Sequence, residues 1–308
     1  MSRLISDRVR GACAWVAARA RSVRIDEAAI AGYARGLPRG GELPPPDPAT
    51  DLIEAEGEAR AAFVICLDAI NFGSGWWPAI RKRPGRSGYF TIAAGLTERF
   101  RTSGPWSPRE LTQLYPADLA AVTGQDLALP LMEQYAASLR DVGERVLADH
   151  DGRFMAVAEA AGGSAPALAD LLAGWEAFAD ASIYEGRSVP FYKRAQIAAA
   201  DLNRAGVVAL AEEERLTAFA DNLVPHVLRL DRVLLFDLEL EARIDAGDLL
   251  EHGSPEEVEL RACAVHAIEL LAAASSLSPA QIDAALWNRG RDPRYKSVPR
   301  PRCRNTAY

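Results

Sequence analysis

Cysteine is scarce in this sequence, and the few cysteines are widely spaced. Four occur in 308 residues, and no two of them form a CxxC pair. Zinc modules and secreted disulfide scaffolds bring their cysteines together in close pairs. We therefore expect neither a disulfide framework nor a zinc site. The four histidines also lie at no metal-ligand spacing, so the sequence predicts a protein without metal or cofactor.

Long apolar runs are missing as well. No stretch approaches the roughly 18 residues that a membrane-spanning helix needs. Four arginines between positions 8 and 21 interrupt any apolar segment typical of a secretory signal. We therefore expect a cytoplasmic protein that makes no membrane contact.

The sequence also lacks a net positive charge. The chain has 35 lysines and arginines against 42 aspartates and glutamates, a formal charge of −7. Proteins that bind nucleic acids in general carry a basic surface, so we expect no stable nucleic-acid complex and a small-molecule substrate instead. One local exception lies between positions 289 and 304, where seven Arg and Lys residues accompany a single Asp. The local positive charge of this segment is compatible with a pocket that binds one phosphate.

The dominant hydrophobic period is helical. Apolar residues recur every three or four positions over 131–146, which predicts one amphipathic helix. The same period runs over 168–178 behind a capping Ser164, and over 258–268 behind Ser254. Shorter helices are predicted near 9–16 and 27–37.

Two further kinds of segment complete the predicted fold. The stretch from Pro38 to Ala49 holds five prolines and two glycines, which indicates a surface connection. Ala61–Ile70 and Tyr89–Ala94 have the length of strands, yet they fit buried helices equally well. We therefore expect an all-α protein with a single domain over residues 1–308. Two helical lobes with the active site between them are the alternative arrangement.

Two segments contain the residues that we predict to take part in catalysis, a lysine in the first and an aspartate in the second. Residues 189–197 read VPFYKRAQI between two predicted helices, the first ending near Ala179, and residues 219–226 read FADNLVPH before another helix. Helix–hairpin–helix base-excision glycosylases place a lysine at the second hairpin helix and an essential aspartate soon after it. Lys193 and Asp221 resemble that pair, with a longer separation of 28 positions. This resemblance implies a helix–hairpin–helix DNA-glycosylase-like helical domain.

The hairpin departs from that of the DNA-binding glycosylases. Their hairpin is rich in glycine, so that a DNA phosphate can approach the backbone amides closely. Val189, Pro190, Phe191 and Tyr192 occupy those positions here. Bulky side chains and a proline without an N–H make a poor DNA clamp. They make a better wall for a small closed pocket.

More of the chain, roughly residues 10–303, resembles one specific family, the queuosine salvage proteins, which are queuosine 5′-phosphate N-glycosylases. The FYKRAQ and FAD–P segments are its most specific matches. This chain departs from the family pattern by inserting Gly73-Ser74-Gly75 before Trp76-Trp77, and by continuing past Cys303. The matching stretches are Phe63–Phe72, Ser87–Tyr89, Glu185–Ile197, Phe219–Pro225, Glu257–Arg261 and Leu286-Trp287.

The resemblance implies hydrolysis of queuosine 5′-phosphate to queuine and ribose 5-phosphate, for salvage of queuine into tRNA. Breaking the N-glycosidic bond develops positive charge on the ribose, which a fixed carboxylate can stabilise. Asp221 is the residue predicted for this role. Lys193, helped by Arg194 or Tyr192, is predicted to bind the 5′-phosphate.

The departing base sets a further requirement. Queuine is a 7-deazapurine, so protonation at N7 cannot ease its departure, and the site has to hold the base by its other edges. Asp68 and Asn71 offer donors and acceptors for a guanine-like edge. The rings predicted to stack on the base are Phe72, Trp76 and Trp77. The remaining predicted substrate contacts are Tyr89, Asn222 and His226.

Each of these residues also fits a structural role. Asp221 fits a helix N-cap, Lys193 a solvated helix residue, and His226 a residue that satisfies local polar groups. Packing alone would account for Trp76, Trp77 and Tyr89, and complementation of a helix dipole would account for Glu257 and Glu259.

Two rival functions belong to other classes. A DNA-repair base glycosylase is favoured by the order of the lysine and the aspartate, and opposed by the net acidity and the glycine-free hairpin. A non-catalytic helical module that retains a nucleotide or tRNA is the second rival. Released base after incubation with the nucleoside monophosphate distinguishes an enzyme from such a module.

Overall fold

The computed structural model describes residues 4–38 and 46–308. Helices dominate this part of the chain, which confirms the predicted helical character. The helices are α1 (Ile5–Ala17), α2 (Glu27–Arg35), α3 (Gly57–Ala69), α4 (Gly88–Ser103), α5 (Pro108–Leu111), α6 (Pro116–Thr123), α7 (Leu131–Asp149), α8 (Phe154–Glu159), α9 (Ala165–Leu172), α10 (Lys193–Arg204), α11 (Leu223–Leu230), α12 (Leu238–Ala246), α13 (Pro255–Ala273), α14 (Pro279–Arg289) and α15 (Pro293–Lys296).

The strands among the described residues are short and pair two by two. The first pair, β1 (Val23–Ile25) with β4 (Leu234–Phe236), is antiparallel. So is the hairpin of β2 (Ala181–Tyr184) with β3 (Arg187–Pro190). The third pair, β5 (Leu249–Leu250) with β6 (Arg302–Cys303), is parallel and joins the C-terminal tail to the body of the protein.

The strongest helical periods of the sequence form helices. The 131–146 stripe lies on α7, with its five apolar positions fully buried, and the 258–268 stripe lies on α13. Ser254 caps α13, because its side chain accepts a hydrogen bond from the amide of Glu257. The two ambiguous segments, 61–70 and 89–94, lie in α3 and α4 and are not strands. Of the predicted surface connection, residues 39–45 lie outside the described part of the chain.

The prediction of one helix ending near Ala179 was wrong. Helix α9 ends at Leu172, and a single 3₁₀ turn and the β2–β3 hairpin follow before α10 begins. Glu185 and Gly186 form the two-residue turn of this hairpin, both with positive φ, which is the geometry that a tight antiparallel hairpin favours. Val189 and Pro190 therefore lie in a strand, and not in a loop between two helices.

The buried apolar residues form two clusters. One gathers side chains of α3, α4, α7, α9 and α10, and the other gathers side chains of α1, α11, α13 and α14. Tyr192, the residue before α10, packs against both clusters. None of the helices in the described part of the chain combines the length and the apolar character that crossing a lipid bilayer requires.

Candidate active site

A cavity of about 1710 Å³ brings the two predicted chemical segments together. Its walls come from one face of α10, the start of α11, the start of α4, α14, the segment after α3 and the C-terminal tail. Seven of the predicted site residues line it, namely Asn71, Phe72, Trp77, Tyr89, Lys193, Asp221 and Asn222.

Lys193 is the first residue of α10 and is buried, with 7% of its surface exposed. Its ammonium group donates a hydrogen bond to the backbone oxygen of Asn71 at 3.1 Å. Burial lowers the pKa of the lysine, and the nearby carboxylate of Asp221 opposes that shift. The structure therefore holds a partly desolvated cation within electrostatic range of Asp221.

Asp221 caps α11 and lines the cavity as well. Its Oδ1 accepts hydrogen bonds from the amides of Leu223 at 2.8 Å and Val224 at 3.0 Å. Among the described residues, none donates a hydrogen bond to its other carboxylate oxygen. The structural role predicted for this aspartate is thus real, and it leaves one oxygen for a ligand.

Asp283 on α14 is a second carboxyl group beside Asp221, and sequence reasoning missed it. It is buried in the cavity wall, and its Oδ1 accepts a hydrogen bond from the amide of Phe219 at 3.0 Å. Burial raises its pKa well above the ordinary value, and the charge of Asp221 raises it further. Burial and the neighbouring charge therefore favour the protonated form of Asp283, and unlike environments of this kind are typical of carboxyl pairs that divide acid and base roles.

A second acidic pair lies at the side of the cavity formed by α3 and α10. Asp201 lines the cavity, whereas Asp68 is buried behind Asn71, which donates a 3.4 Å hydrogen bond to it. Asp68 Oδ2 has no hydrogen-bond partner among the described residues. Burial raises the pKa of Asp68, and the nearby charge of Asp201 raises it further. Asp201 also forms a 3.1 Å ion pair with Arg204.

Aromatic rings form another part of the lining. Trp77 and Tyr89 were predicted, and Phe90 and Trp287 join them. Trp287 contacts Tyr89 and Phe90 edge to face, with ring centroids 6.4 Å and 5.8 Å apart. These rings offer a surface on which a planar base can stack. Trp76 is buried and does not belong to the lining.

Three more predicted contacts lie outside the lining. The guanidinium of Arg194 donates to the backbone oxygen of Ala69 and lies 4.8 Å from the ring of Phe72, and burial lowers its pKa to about 10. His226 bonds the backbone oxygen of Tyr295 through Nε2 at 2.9 Å, and burial lowers its pKa to about 4. Tyr192 lies at the junction of the two apolar clusters. Each of these side chains is engaged in packing or internal hydrogen bonds.

The basic segment near the C-terminus contributes cations to the cavity. Lys296, Arg300 and Arg302 line it. Burial lowers the pKa of Arg300, and the nearby carboxylate of Asp221 opposes the shift. Asp221 thus lies within electrostatic range of both Lys193 and Arg300, which is an arrangement suited to an anionic group bound next to the carboxylate.

A buried ion pair connects the Lys193 and Asp221 segments. Arg261 donates to both carboxylate oxygens of Asp180, at 2.9 Å and 2.7 Å, and its Nε donates to the backbone oxygen of Ala220 at 3.1 Å. Asp180 in turn accepts a hydrogen bond from the amide of Lys193 at 3.0 Å. One guanidinium therefore holds the backbone just before Asp221 and, through Asp180, the first turn of α10.

The two glutamates of the EVELR stretch are buried and engaged in specific contacts, which the helix-dipole interpretation did not predict. Glu259 accepts hydrogen bonds from the amides of Arg21 and Ser22 and from the hydroxyl of Tyr184. Glu257 Oε2 accepts one from the amide of Gly253 at 3.1 Å. These carboxylates therefore anchor neighbouring segments to α13.

Residues 52–308 match the protein family described as queuosine salvage protein. The chain belongs to this family. A relative from Sphaerobacter thermophilus, named queuosine 5′-phosphate N-glycosylase/hydrolase, is 32% identical over 308 residues, which is 95% of each chain. A protein of the same name from Mus musculus is 27% identical, and the match covers 82% of each chain. Another from Dictyostelium discoideum is 29% identical, and the match covers 76% of this chain and 73% of the relative. The resemblance to the queuosine salvage proteins is confirmed.

The Gly73-Ser74-Gly75 segment of this queuosine salvage protein packs against its C-terminal tail. Gly73 adopts a φ of 106°, and its amide donates to the backbone oxygen of Tyr308 at 3.0 Å. At Gly75 a side chain would collide with the backbone oxygen of Cys303. Glycine is required at both positions, first for the turn and then for the close approach of the tail. The tail thereby brings Tyr308 into the cavity wall.

Proposed function

We propose that this protein hydrolyses the N-glycosidic bond of queuosine 5′-phosphate and releases queuine and ribose 5-phosphate, so that queuine returns to tRNA. The observation that carries the proposal is the meeting of Asp221 and Lys193 in one cavity of a queuosine salvage family member. The names of its relatives describe the same reaction. We further propose a single cytoplasmic domain related to the helix–hairpin–helix glycosylases.

In this mechanism the C1′–N bond breaks, water supplies the oxygen that joins C1′, and the departing base takes up a proton. The charged Asp221 faces the ribose and stabilises the positive charge that develops there. Asp283, whose protonated form burial favours, offers a hydrogen bond to the substrate next to it. A neutral and an anionic carboxyl group in one site can thus serve different steps without exchanging roles.

Two kinds of contact bind the substrate: charged side chains bind its phosphate, and aromatic rings stack on its base. Lys193 and Arg300 bind the 5′-phosphate, because both are cations within range of Asp221 in the cavity. The rings of Trp77, Tyr89 and Trp287 enclose the base. Asn71, supported from behind by the buried Asp68, and Asp201 in the lining read the polar edge of the base.

Direct assay tests the proposal against both rivals. The purified protein is incubated with queuosine 5′-phosphate, and the products are separated by chromatography. Free queuine together with ribose 5-phosphate is the expected result. Intact nucleotide retained on the protein would favour the binding module. Release of a base from duplex DNA, with no turnover of the nucleotide, would favour the repair glycosylase.

Lys193→Ala is expected to reduce the preference for the 5′-phosphate. A hydrogen bond to a charged group contributes about 1.5–3 kcal/mol, so kcat/KM for the nucleotide should fall by about 10–100-fold. The dephosphorylated nucleoside should lose much less. Lys296→Ala is the matched control, because it removes the same charge from an exposed position on the same cavity. Equal losses for nucleotide and nucleoside would mean that Lys193 does not bind the phosphate.

Borohydride is expected to leave the protein unmodified during turnover. In bifunctional DNA glycosylases the hairpin lysine attacks the sugar and forms an imine, which borohydride traps. Here the lysine binds phosphate and water completes the reaction, so no imine is required. Mass spectrometry after turnover with borohydride measures this directly. A trapped adduct on Lys193 would instead support the repair glycosylase.

A further inference from the structure

Three residues with metal-binding side chains meet where the C-terminal tail joins α13. His252 follows β5, Glu257 lies in the first turn of α13, and Cys303 belongs to β6. One ligand atom from each lies within 4.8 Å of the other two. The parallel pairing of β5 with β6, which sets Leu250 beside Cys303, brings them together. Sequence spacing could not reveal this cluster, because the cysteine comes from a distant part of the chain.

The separations of these atoms are close to those of a tetrahedral zinc site. Zinc bonds of 2.0–2.3 Å place neighbouring ligand atoms about 3.3–3.8 Å apart. His252 Nδ1 lies 3.7 Å from Glu257 Oε2. Bringing the sulfur into the same range requires a movement of about 1 Å at most. The side chains are therefore arranged for an ion without any change in the backbone path.

Burial and charge also suit a cation. Glu257 and Cys303 are each 1% exposed, and Glu257 Oε1 accepts no hydrogen bond from the described residues. Arg261 Nη1 lies 3.8 Å from that oxygen, which leaves Oε2 on the side of His252. Outer partners of this kind orient ligating carboxylates in metal sites. The side chain of His252 is 43% exposed and provides a path for the ion.

We propose that His252, Glu257 and Cys303 bind one Zn²⁺ ion, with the fourth tetrahedral position open to water. A thiolate and a carboxylate balance the charge of a divalent ion, and the mixed sulfur, nitrogen and oxygen set favours zinc over magnesium or calcium. The ion joins β5, α13 and β6. It thereby holds the tail, whose Arg302 and Tyr308 line the active-site cavity. This proposed site departs from the expectation of a protein without metal, which the scattered cysteines suggested.

Cobalt substitution tests the site in the full-length protein. The protein is stripped with a chelator and titrated with Co²⁺. We expect a thiolate-to-cobalt charge-transfer absorption that saturates at one ion per chain, and its displacement by Zn²⁺ with a rise in Tm. Cys303→Ala should abolish the absorption. Cys66→Ala, which removes an equally buried thiol from the other apolar cluster, should leave it intact.

His252→Ala keeps the test decisive if Cys303→Ala does not fold. Its half-exposed side chain contributes little to the core, so the variant should fold and bind Zn²⁺ at least about tenfold more weakly. The proposal is overturned if the wild type shows no charge-transfer absorption. It is equally overturned if the absorption survives Cys303→Ala, or if Zn²⁺ affinity is unchanged in His252→Ala.

Discussion

Asp221→Asn is expected to lower kcat for queuosine 5′-phosphate by about 10²–10⁴-fold while the fold remains intact. The substitution removes the negative charge that opposes the developing charge on the ribose. It preserves the cap of α11, because an asparagine side-chain oxygen also accepts hydrogen bonds from the amides of Leu223 and Val224. Asp221→Ala would remove both functions, so asparagine is the informative change.

The matched control for this experiment is Asp283→Asn. Because burial favours the protonated form of Asp283, an asparagine matches a neutral carboxyl group there and keeps an oxygen that accepts the hydrogen bond from the amide of Phe219. We expect its kcat to fall by much less than that of Asp221→Asn, and Tm to be similar in both variants. Wild-type turnover in Asp221→Asn would move the essential carboxylate to another residue, with Asp283 and Asp201 as the next candidates in the lining.

Local sequence patterns predicted the helices well, because a helix is specified by residues close together in sequence. The buried stripe of α7 and the cap of α13 both required only neighbours within one or two turns. The β2–β3 hairpin was missed for the opposite reason. Its two strands are only four residues long, which is too short for an alternating pattern to be distinguished from a loop.

The periodicity of α10 carries more information than its motif alone. Lys193, Ile197, Ala200, Asp201 and Arg204 all line the cavity, and their spacing of three, four or seven residues is that of one helical face. Arg194 is rotated by about 100° from Lys193, and it points into the apolar core instead. The period alone also places Asp201 about 80° from Lys193, close to Arg194. Only the packing of α10 therefore separates Asp201, which lines the cavity, from Arg194, which is buried in the core.

The long-range contacts of the site could not be predicted in this way. Asp283 is carried by a helix far along the chain from Asp221, and Asp180 meets Arg261 only because α13 packs beside the hairpin. Such contacts depend on how the helices are arranged in space, which no single segment encodes. These contacts nevertheless favour the protonated form of Asp283, and they fix the positions of the Lys193 and Asp221 segments.

Arg261→Lys is expected to reduce kcat by about 10–100-fold with little change in KM, because misplacement of reacting groups by about 1 Å can cost about 10²-fold. A lysine keeps a positive charge opposite the buried Asp180. It cannot bind both carboxylate oxygens and the backbone oxygen of Ala220 together, as the guanidinium does. The Lys193 and Asp221 segments would then lose their common support. Arg261→Ala would leave Asp180 unpaired at a cost of about 3–5 kcal/mol, which would confuse folding with positioning.

A control substitution at a second arginine distinguishes misplacement of the catalytic residues from a general loss of stability. Arg289 forms a 2.9 Å ion pair with Asp231, and neither residue belongs to the cavity lining, so Arg289→Lys should lower Tm without lowering kcat. In Arg261→Lys, by contrast, kcat should fall even well below the Tm of the variant, and queuine should still bind with near wild-type affinity. Equal loss of queuine binding and turnover would show that Arg261 supports only the shape of the cavity. A fall in kcat alone would show that this buried guanidinium sets the position of Asp221 relative to the ribose.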